Sequence, residues 1–404
     1  MGQGPLAALR VLDLSTVFAG PLCGALLADF GADVIKVEQP RIGDPLRAFP
    51  PYKDGVPLWS KVTNRNKRAV SLDLRHARAR EVLAPLIAKT DVVIENFRPG
   101  TLDGWGLTGD WMRSLNPRVT IIRITGFGQT GPYRDRPGFA RAFEALSGFT
   151  HLCGEEDGPP LHLGFPISDA VGGLVAALGV LAALYELDRS PGQAGQEIDC
   201  SMSEAMLRVL DFVIIQQDQL GQSPKRSGNV NAYAAPSSIF QTLDGRWVSV
   251  PASSQAVFER LADAIGQPAL KSDPRFATNV ERVRNRHEIN AIVAEALRRL
   301  PFSELETRLD AHGIAFAPIN DAKAAMENPQ FVAREAIVEV ADRELGRVKM
   351  QNVVPRFSRT PGAVSKAGEA LGHDTRAVLS ELGFSEAAIA ALEAEGVIQS
   401  APET

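Results

Sequence analysis

The chain has 404 residues, of which 45% are hydrophobic and 23% charged, and its net charge at pH 7 is −5. This length predicts two domains rather than one core, and the interspersed charges exclude the basic surface typical of nucleic-acid-binding proteins. The three cysteines (Cys23, Cys153 and Cys200) fit neither a disulfide framework nor a metal site, which favours a reducing, cytoplasmic compartment. The amino-terminal residues lack the pattern of a signal peptide.

The first part of the chain alternates between strand and helix patterns. We predict strands over residues 10–14, 32–38, 91–95 and 119–124, and helices over residues 22–30 and 78–89. This alternation is typical of βαβ units and predicts an α/β fold with a doubly wound, Rossmann-like parallel sheet covered on both faces. Ligands of such sheets bind at the carboxyl ends of the strands, which are residues 15–20, 96–100 and 125–131 here.

Two common nucleotide-binding motifs are missing from these strand ends. No Gly-x-Gly-x-x-Gly follows the first strand, and the sequence contains no Walker phosphate loop. Residues 126–132 are rich in glycine, but no helix pattern follows them, so we predict a turn-rich connection. A nicotinamide-type dinucleotide site is therefore poorly supported.

Residues 164–173, with the sequence Gly-Phe-Pro-Ile-Ser-Asp-Ala-Val-Gly-Gly, lead from a loop into an apolar helix. The pattern places Asp169 at or near the helix start, where the helix dipole favours its ionised form. Asp169 is a candidate nucleophile, and the alternative is that it only caps the helix. The apolar run, residues 170–185, is shorter than the roughly 20 residues that span a bilayer, so we predict a core helix and no membrane contact.

The second half predicts a smaller α+β domain. A strand over residues 196–200 and a helix from Ser203 are followed by a polar linker over residues 221–233. Strand patterns over residues 238–243 and 247–250 flank Asp244 and Gly245 and predict a hairpin. We therefore predict a large Rossmann-like domain over residues 1–220, a small domain with its linkers over residues 221–330, and a carboxy-terminal segment over residues 331–404 that returns to the large domain.

Several short motifs, in order and at matching spacing, resemble the class III CoA-transferase family. This family includes formyl-CoA transferase, carnitine CoA-transferases and the α-methylacyl-CoA racemases. The matching segments are residues 12–14, 19–21, 27–38, 43–44, 66–68, 72–74, 95–100 and 126–132. The longest reads Leu-Ala-Asp-Phe-Gly-Ala-Asp-Val-Ile-Lys-Val-Glu, and the resemblance covers nearly the whole chain.

The resemblance implies a homodimer of two interlocked rings with active sites between the subunits. It assigns Asp169 as the nucleophile, and it implies CoA or acyl-CoA as substrate with no tightly bound cofactor or metal. The family's CoA-binding positions fall on Val17, Ala19, Leu72, Arg75, Asn96, Phe97 and Arg98. Arginines suit the phosphates of CoA and apolar side chains suit its adenine, but Arg75 also fits a surface residue and Phe97 a core residue.

The implied reaction is transfer of CoA between carboxylic acids through aspartyl-anhydride and aspartyl-CoA thioester intermediates. An aspartate of ordinary pKa, about 3.9, is ionised at neutral pH and needs no general base. A short dicarboxylate such as succinate is the expected donor or acceptor in acyl-CoA metabolism, by analogy with family members. Arg141 is a candidate contact for the distal carboxylate of the acceptor acid.

Two alternatives stay open. One is α-methylacyl-CoA racemization by α-proton exchange, which the sequence disfavours because Phe139 occupies the position of that branch's histidine, and His151 and His162 are out of register. The other is a non-catalytic CoA-binding paralogue, which the intact sequence around Asp169 disfavours.

Overall fold

The computed structural model describes residues 4–401, which form two compact units. The large unit contains the chain up to Phe149, Leu163–Asp211 and the chain from Gln330 onward. The small unit contains Thr150–His162 and Phe212–Pro329. The large unit is thus assembled from three separate stretches of sequence. The domain ranges 1–220, 221–330 and 331–404 stay a prediction.

The strands within the described residues are short, and most carry β-branched side chains. In chain order they are β1 Arg10–Asp13, β2 Asp33–Glu38, β3 Tyr52–Lys53, β4 Val56–Pro57, β5 Arg68–Leu72, β6 Val92–Glu95, β7 Thr120–Thr125, β8 Glu197–Ser201, β9 Ser237–Gln241, β10 Trp247–Pro251, β11 Ala317–Pro318, β12 Ile337–Asp342, β13 Gly346–Gln351 and β14 Ile398–Gln399.

The helices vary from one turn to more than six turns. In chain order they are α1 Ala19–Asp29, α2 Leu58–Thr63, α3 Ala79–Ile87, α4 Thr101–Gly104, α5 Gly109–Leu115, α6 Ala140–Leu146, α7 Phe149–Leu152, α8 Ile167–Arg189, α9 Met202–Val209, α10 Val213–Leu220, α11 Gln255–Ala264, α12 Asn279–Arg284, α13 Arg286–Leu297, α14 Phe302–Ala311, α15 Ala322–Glu327, α16 Pro329–Ala333, α17 Thr375–Glu381 and α18 Glu386–Ala394, with short 3₁₀ helices at Pro45–Ala48 and Pro268–Lys271.

The large unit is built on a seven-stranded sheet in the order β14-β5-β2-β1-β6-β7-β8. All neighbours are parallel except β14, which pairs antiparallel with β5. Both faces are covered: in β1, Val11 packs in one hydrophobic cluster and the adjacent Leu12 in the other. Successive side chains of a strand point to opposite faces, so this burial on both sides is that of a parallel sheet between helical layers. The predicted parallel sheet is confirmed.

Helix α1 begins three residues earlier than predicted. The sequence predicts a loop over residues 15–21, but α1 starts at Ala19. Pro21 therefore lies in the first turn, where its missing N–H costs nothing because no intrahelical acceptor is available there. The loop after β1 is correspondingly short.

Helix α8 is the longest helix among the described residues and has apolar side chains on two sides. Its buried side carries small residues, including Gly172, Gly173 and Ala176. Its outer side exposes a stripe of large apolar residues at helical spacing, namely Leu174, Leu178, Leu181 and Tyr185. With 23 residues α8 is long and apolar enough to cross a membrane by length and composition, so the prediction that this segment is too short is wrong.

The small unit contains a three-stranded antiparallel sheet in the order β11-β10-β9. Strands β9 and β10 form the predicted hairpin, and Gly245 takes the left-handed conformation (φ 78°) that its tight turn requires. The hydrophobic core of the small unit contains side chains from the sheet and from α11, α13 and α14, such as Phe240, Phe258 and Leu309.

Candidate active site

The loop after β1 is held at successive backbone groups by side chains from other elements. The Thr16 N–H donates to Asn96 Oδ1 (2.7 Å), and Asn96 Nδ2 donates to the Thr16 carbonyl (2.7 Å). The next N–H, of Val17, donates to both carboxylate oxygens of Asp44 (2.9 and 3.2 Å). Val17 has a φ of 66°, a left-handed conformation that β-branched residues rarely adopt. Asn96 follows β6 and Asp44 follows β2, and their hydrogen bonds hold the backbone of the loop after β1 in place.

Buried charged side chains also contact the loop after β1 and the residues that hold it. Lys36 of β2 is almost fully buried, donates to the Ser15 carbonyl, and forms an ion pair with Asp44 (3.2 Å). Burial alone would lower the pKa of Lys36, but the carboxylates of Asp13, Asp44 and Glu38 raise it above its ordinary value. The ammonium group is therefore charged, and the buried carboxylates have a compensating partner.

Asp169 lies in the first turn of α8, next to the start of α1. The ring of Phe18, which immediately precedes α1, lies 5.8 Å from the ring of Phe165. One turn after Asp169, a Cβ on Gly173 would lie only 2.7 Å from the carbonyl oxygen of Ala19. Glycine is required there because the two backbones approach so closely. The loop after β1 and the first turn of α8 are therefore neighbours.

The carboxyl group of Asp169 is half-buried, and its pKa is raised to about 6. Burial is the largest cause and the negative charge of Glu144 adds to it, whereas a hydrogen bond to the backbone of Asp169 opposes it. Helix α6 brings Glu144 here: the Ser168 N–H donates to Glu144 Oε1 (3.4 Å), and the Ser168 hydroxyl donates to the Ala140 carbonyl (2.9 Å). The expected ordinary pKa is therefore wrong, because burial and a nearby carboxylate outweigh the helix terminus. At pH 7 the carboxylate still predominates by about ten to one.

A cavity of about 250 Å³ opens at the carboxyl ends of β1, β2 and β5. This is the position at which ligands of open parallel sheets bind. It is mainly apolar but also has charged side chains in its lining, among them the buried Lys36, Glu38 and Asp44. It is lined by Leu14, Thr16, Lys36, Val37, Glu38, Gln39, Ile42, Gly43, Asp44, Pro45, Leu72, Asp73, Leu74, Arg75, Phe97 and Trp105.

Three of the seven predicted CoA-binding residues line this cavity. Leu72 is buried in its wall, Phe97 packs edge-on against Trp105 (5.3 Å between ring centroids), and Arg75 is half exposed with its Nε 3.1 Å from Asp73. The other four do not line it. Val17 lies in the loop after β1, and Ala19 is the first residue of α1. Asn96 is hydrogen-bonded to Thr16 of that loop, and Arg98 is exposed on the loop after β6. The assignment of all seven to CoA stays a prediction.

Sequence reasoning did not identify Asp44, Lys36 or Glu144 as site residues. Gly43 and Asp44 were only part of a matching segment, and nothing in their immediate sequence shows that Asp44 contacts a loop 27 residues earlier. Glu144 lies in α6, one turn after its first residue, Ala140. Within residues 4–401, no group of three or more His, Cys, Asp or Glu side chains is placed to hold a metal ion; the expectation that none is bound stays a prediction.

Comparison with known proteins identifies relatives over almost the full length. The sequence model of CoA-transferase family III matches residues 6–375. A succinyl-CoA–D-citramalate CoA-transferase of Chloroflexus aurantiacus is 42% identical over 98% of both chains. A succinate–glutarate CoA-transferase of Agrobacterium fabrum is 34% identical over 94% of this chain and 96% of its own. The crystal structure of a CAIB/BAIF family protein from Brucella suis superposes with a TM-score of 0.84 at 33% identity, covering 94% of this chain and 99% of the other.

Proposed function

The chain belongs to CoA-transferase family III, and from this premise we propose that it moves CoA between succinyl-CoA and a short dicarboxylic acid. The family is named for CoA transfer, and several relatives are named as CoA-transferases of succinyl-CoA or succinate. The observation that carries the proposal is the half-buried carboxylate of Asp169 near the loop after β1, which Asn96 and Asp44 hold in place. A carboxylate shielded from bulk water can attack a thioester without a separate base.

The first half of the proposed reaction transfers CoA to the enzyme. A carboxylate oxygen of Asp169 attacks the thioester carbonyl of succinyl-CoA, and the C–S bond breaks to release CoA thiolate and leave a succinyl-aspartyl anhydride. The thiolate then attacks the aspartyl carbonyl of the anhydride. Succinate leaves as its carboxylate, and the product is a thioester between CoA and the Asp169 side chain.

The second half reverses these steps with the acceptor acid. The acceptor carboxylate attacks the aspartyl thioester and releases CoA thiolate, which attacks the acceptor carbonyl of the new anhydride. The products are acceptor-CoA and the regenerated Asp169 carboxylate. Both anhydrides hydrolyse readily, so the site must exclude water, and the partial burial of Asp169 supports this requirement.

We assign the CoA moiety to the cavity at the carboxyl ends of β1, β2 and β5. Its apolar wall, with Leu72 and Phe97, suits the adenine ring, and Arg75 at its edge suits a phosphate. Arg141 is exposed near the start of α6 and stays our candidate for the distal carboxylate of the acceptor acid. A succinate-type acid needs such a cation because its second carboxylate would otherwise lose its hydration without compensation.

We further propose that the protein acts as an interlocked homodimer in the cytoplasm. The exposed apolar stripe of α8, Leu174 to Tyr185, supports this proposal because a soluble chain rarely leaves such a surface uncovered. A second copy of the chain is the occupant we assign to it.

Exchange of CoA between acids tests the proposed function. Purified protein is incubated with succinyl-CoA and one acceptor acid, which is citramalate, malate or glutarate in three separate reactions. The acyl-CoA products are identified by mass spectrometry. We expect a new acyl-CoA, and a hydroxylamine adduct on the peptide that contains Asp169. The control Asp169→Ala should bind CoA but transfer nothing.

Two results would contradict the proposal. Full activity of Asp169→Ala would exclude the aspartate mechanism. Exchange of the α-proton of a branched acyl-CoA in deuterated water, without transfer to any acid, would favour the racemase reaction instead.

A further inference from the structure

We infer that Asn96 and Asp44 are positioning residues that fix the backbone of Thr16 and Val17 for the transfer reaction. The inference rests on the proposed function, and it changes the role that the family resemblance implies for Asn96. Instead of binding CoA directly, Asn96 would act through the loop that it holds.

The hydrogen bonds of Asn96 support this role. Its amide oxygen accepts from the Thr16 N–H and its amide nitrogen donates to the Thr16 carbonyl, each at 2.7 Å. Both polar atoms of the Asn96 amide are thus bonded to Thr16, and together they fix the two peptide groups that flank this residue. Asn96 follows β6 directly, so the sheet supplies a rigid base for the clamp.

Asp44 holds the next residue in a conformation that it would not take alone. The left-handed φ of Val17 is unfavourable for a β-branched residue, so surrounding contacts must impose it. Asp44 accepts the Val17 N–H at 2.9 Å and is itself fixed by Lys36 and by the Leu46 N–H (2.8 Å). Because Asp44 is only 2% exposed, it has little freedom to move away.

The conformation of this loop determines where α1 begins. After Val17 the chain turns through Phe18 into α1, whose first residue contacts α8 one turn from Asp169. Thr16 also lines the cavity assigned to CoA. A shift of the loop would therefore move the wall of the CoA cavity relative to Asp169, and misplacement by about 1 Å can cost about 10²-fold in rate.

The substitution Asn96→Asp tests the clamp because it preserves shape and replaces the donor to the Thr16 carbonyl with a charged carboxylate oxygen, which cannot donate. Asn116→Asp is a matched control. Asn116 Nδ2 donates to the Thr90 carbonyl (2.7 Å), and Asn116 Oδ1 accepts the Arg118 N–H (3.0 Å). Asn116 lies before the amino end of β7, whereas Asn96 follows the carboxyl end of β6. Both variants lose one side-chain bond to a backbone carbonyl, so a purely structural effect should be similar in the two.

We expect Asn96→Asp to lower kcat for CoA transfer by about 10²-fold while KM for succinyl-CoA changes less than about threefold. Asn116→Asp should retain the wild-type kcat. Equal kcat values in the two variants would overturn the inference, as would a rise in KM alone, which would indicate direct contact between Asn96 and CoA. If Asn96→Asp does not fold, Asp44→Asn is compared in the same way.

A readout without substrate separates this inference from the proposed function. Amide hydrogen exchange at Thr16 and Val17 should be faster in Asn96→Asp than in wild type or Asn116→Asp. Unchanged exchange would refute the clamp even in an active enzyme. Faster exchange in a protein whose wild type transfers no CoA would leave the clamp supported and the proposed function refuted.

Discussion

Replacement of Asp169 by Asn should abolish transfer and stabilise the protein at neutral pH. The carboxyl group has its ordinary pKa of 3.8 in the unfolded chain but a pKa of about 6 in the folded protein. The folded state therefore binds the proton more tightly, and stability is lost as the pH rises from 3.8 to 6. The difference of about two pKa units corresponds to about 3 kcal/mol above pH 6. Asn cannot ionise, so Asp169→Asn should recover most of this free energy.

Urea unfolding at equal protein concentration checks this prediction. We expect Asp169→Asn to raise the free energy of unfolding by about 3 kcal/mol at pH 8 and by only about 1 kcal/mol at pH 4.5, where the folded carboxyl is already protonated. Asp188→Asn, at an exposed position of the same helix, is the control and should change stability by less than about 0.5 kcal/mol. A variant no more stable than wild type at pH 8, or a gain that does not shrink at pH 4.5, would refute the reasoning.

Three further predictions concern the same region. Glu144→Gln removes a charge that raises the pKa of Asp169, so the acid limb of the kcat–pH profile should move to lower pH; an unmoved limb would contradict this coupling. Gly173→Ala should lower stability by about 1–3 kcal/mol in thermal unfolding, because its Cβ would collide with a backbone carbonyl of α1. Gly179→Ala, whose Cβ would meet only an ordinary contact at 3.6 Å, should be neutral or stabilising, and equal losses would refute the steric argument. Arg75→Ala should raise KM for succinyl-CoA but not for a succinyl-pantetheine thioester, which lacks all the phosphates of CoA; equal increases would exclude a phosphate contact.

The sequence was sufficient to predict five strands of the large sheet, β1, β2, β6, β7 and β8, because most of them are short, largely apolar runs. It did not predict β5 or β14. Residues 119–124, for example, predict a strand that the structure places at Thr120–Thr125. The same reasoning placed Asp169 at a helix start, where the structure has it.

The electrostatics of the site could not be predicted in this way. The pKa of Asp169 depends on burial and on Glu144, 25 residues earlier in the chain, and both are properties of tertiary packing. Likewise, the clamp on Thr16 joins it to Asn96, 80 residues away. Local sequence patterns carry no information about pairs so far apart in the chain. The segments that match the known family contain Asp44 and Asn96, but they do not show that these residues contact the loop after β1.

The division of the large unit into three stretches has a consequence for synthesis on the ribosome. Phe212–Pro329 leave the ribosome as one continuous segment, so the antiparallel sheet of the small unit can form soon after translation of that segment. The large sheet must wait longer, because β14 at Ile398–Gln399 supplies the edge beside β5. Until then the hydrogen-bonding groups of β5 are uncovered, and a nascent chain released early would expose a strand edge prone to aggregation.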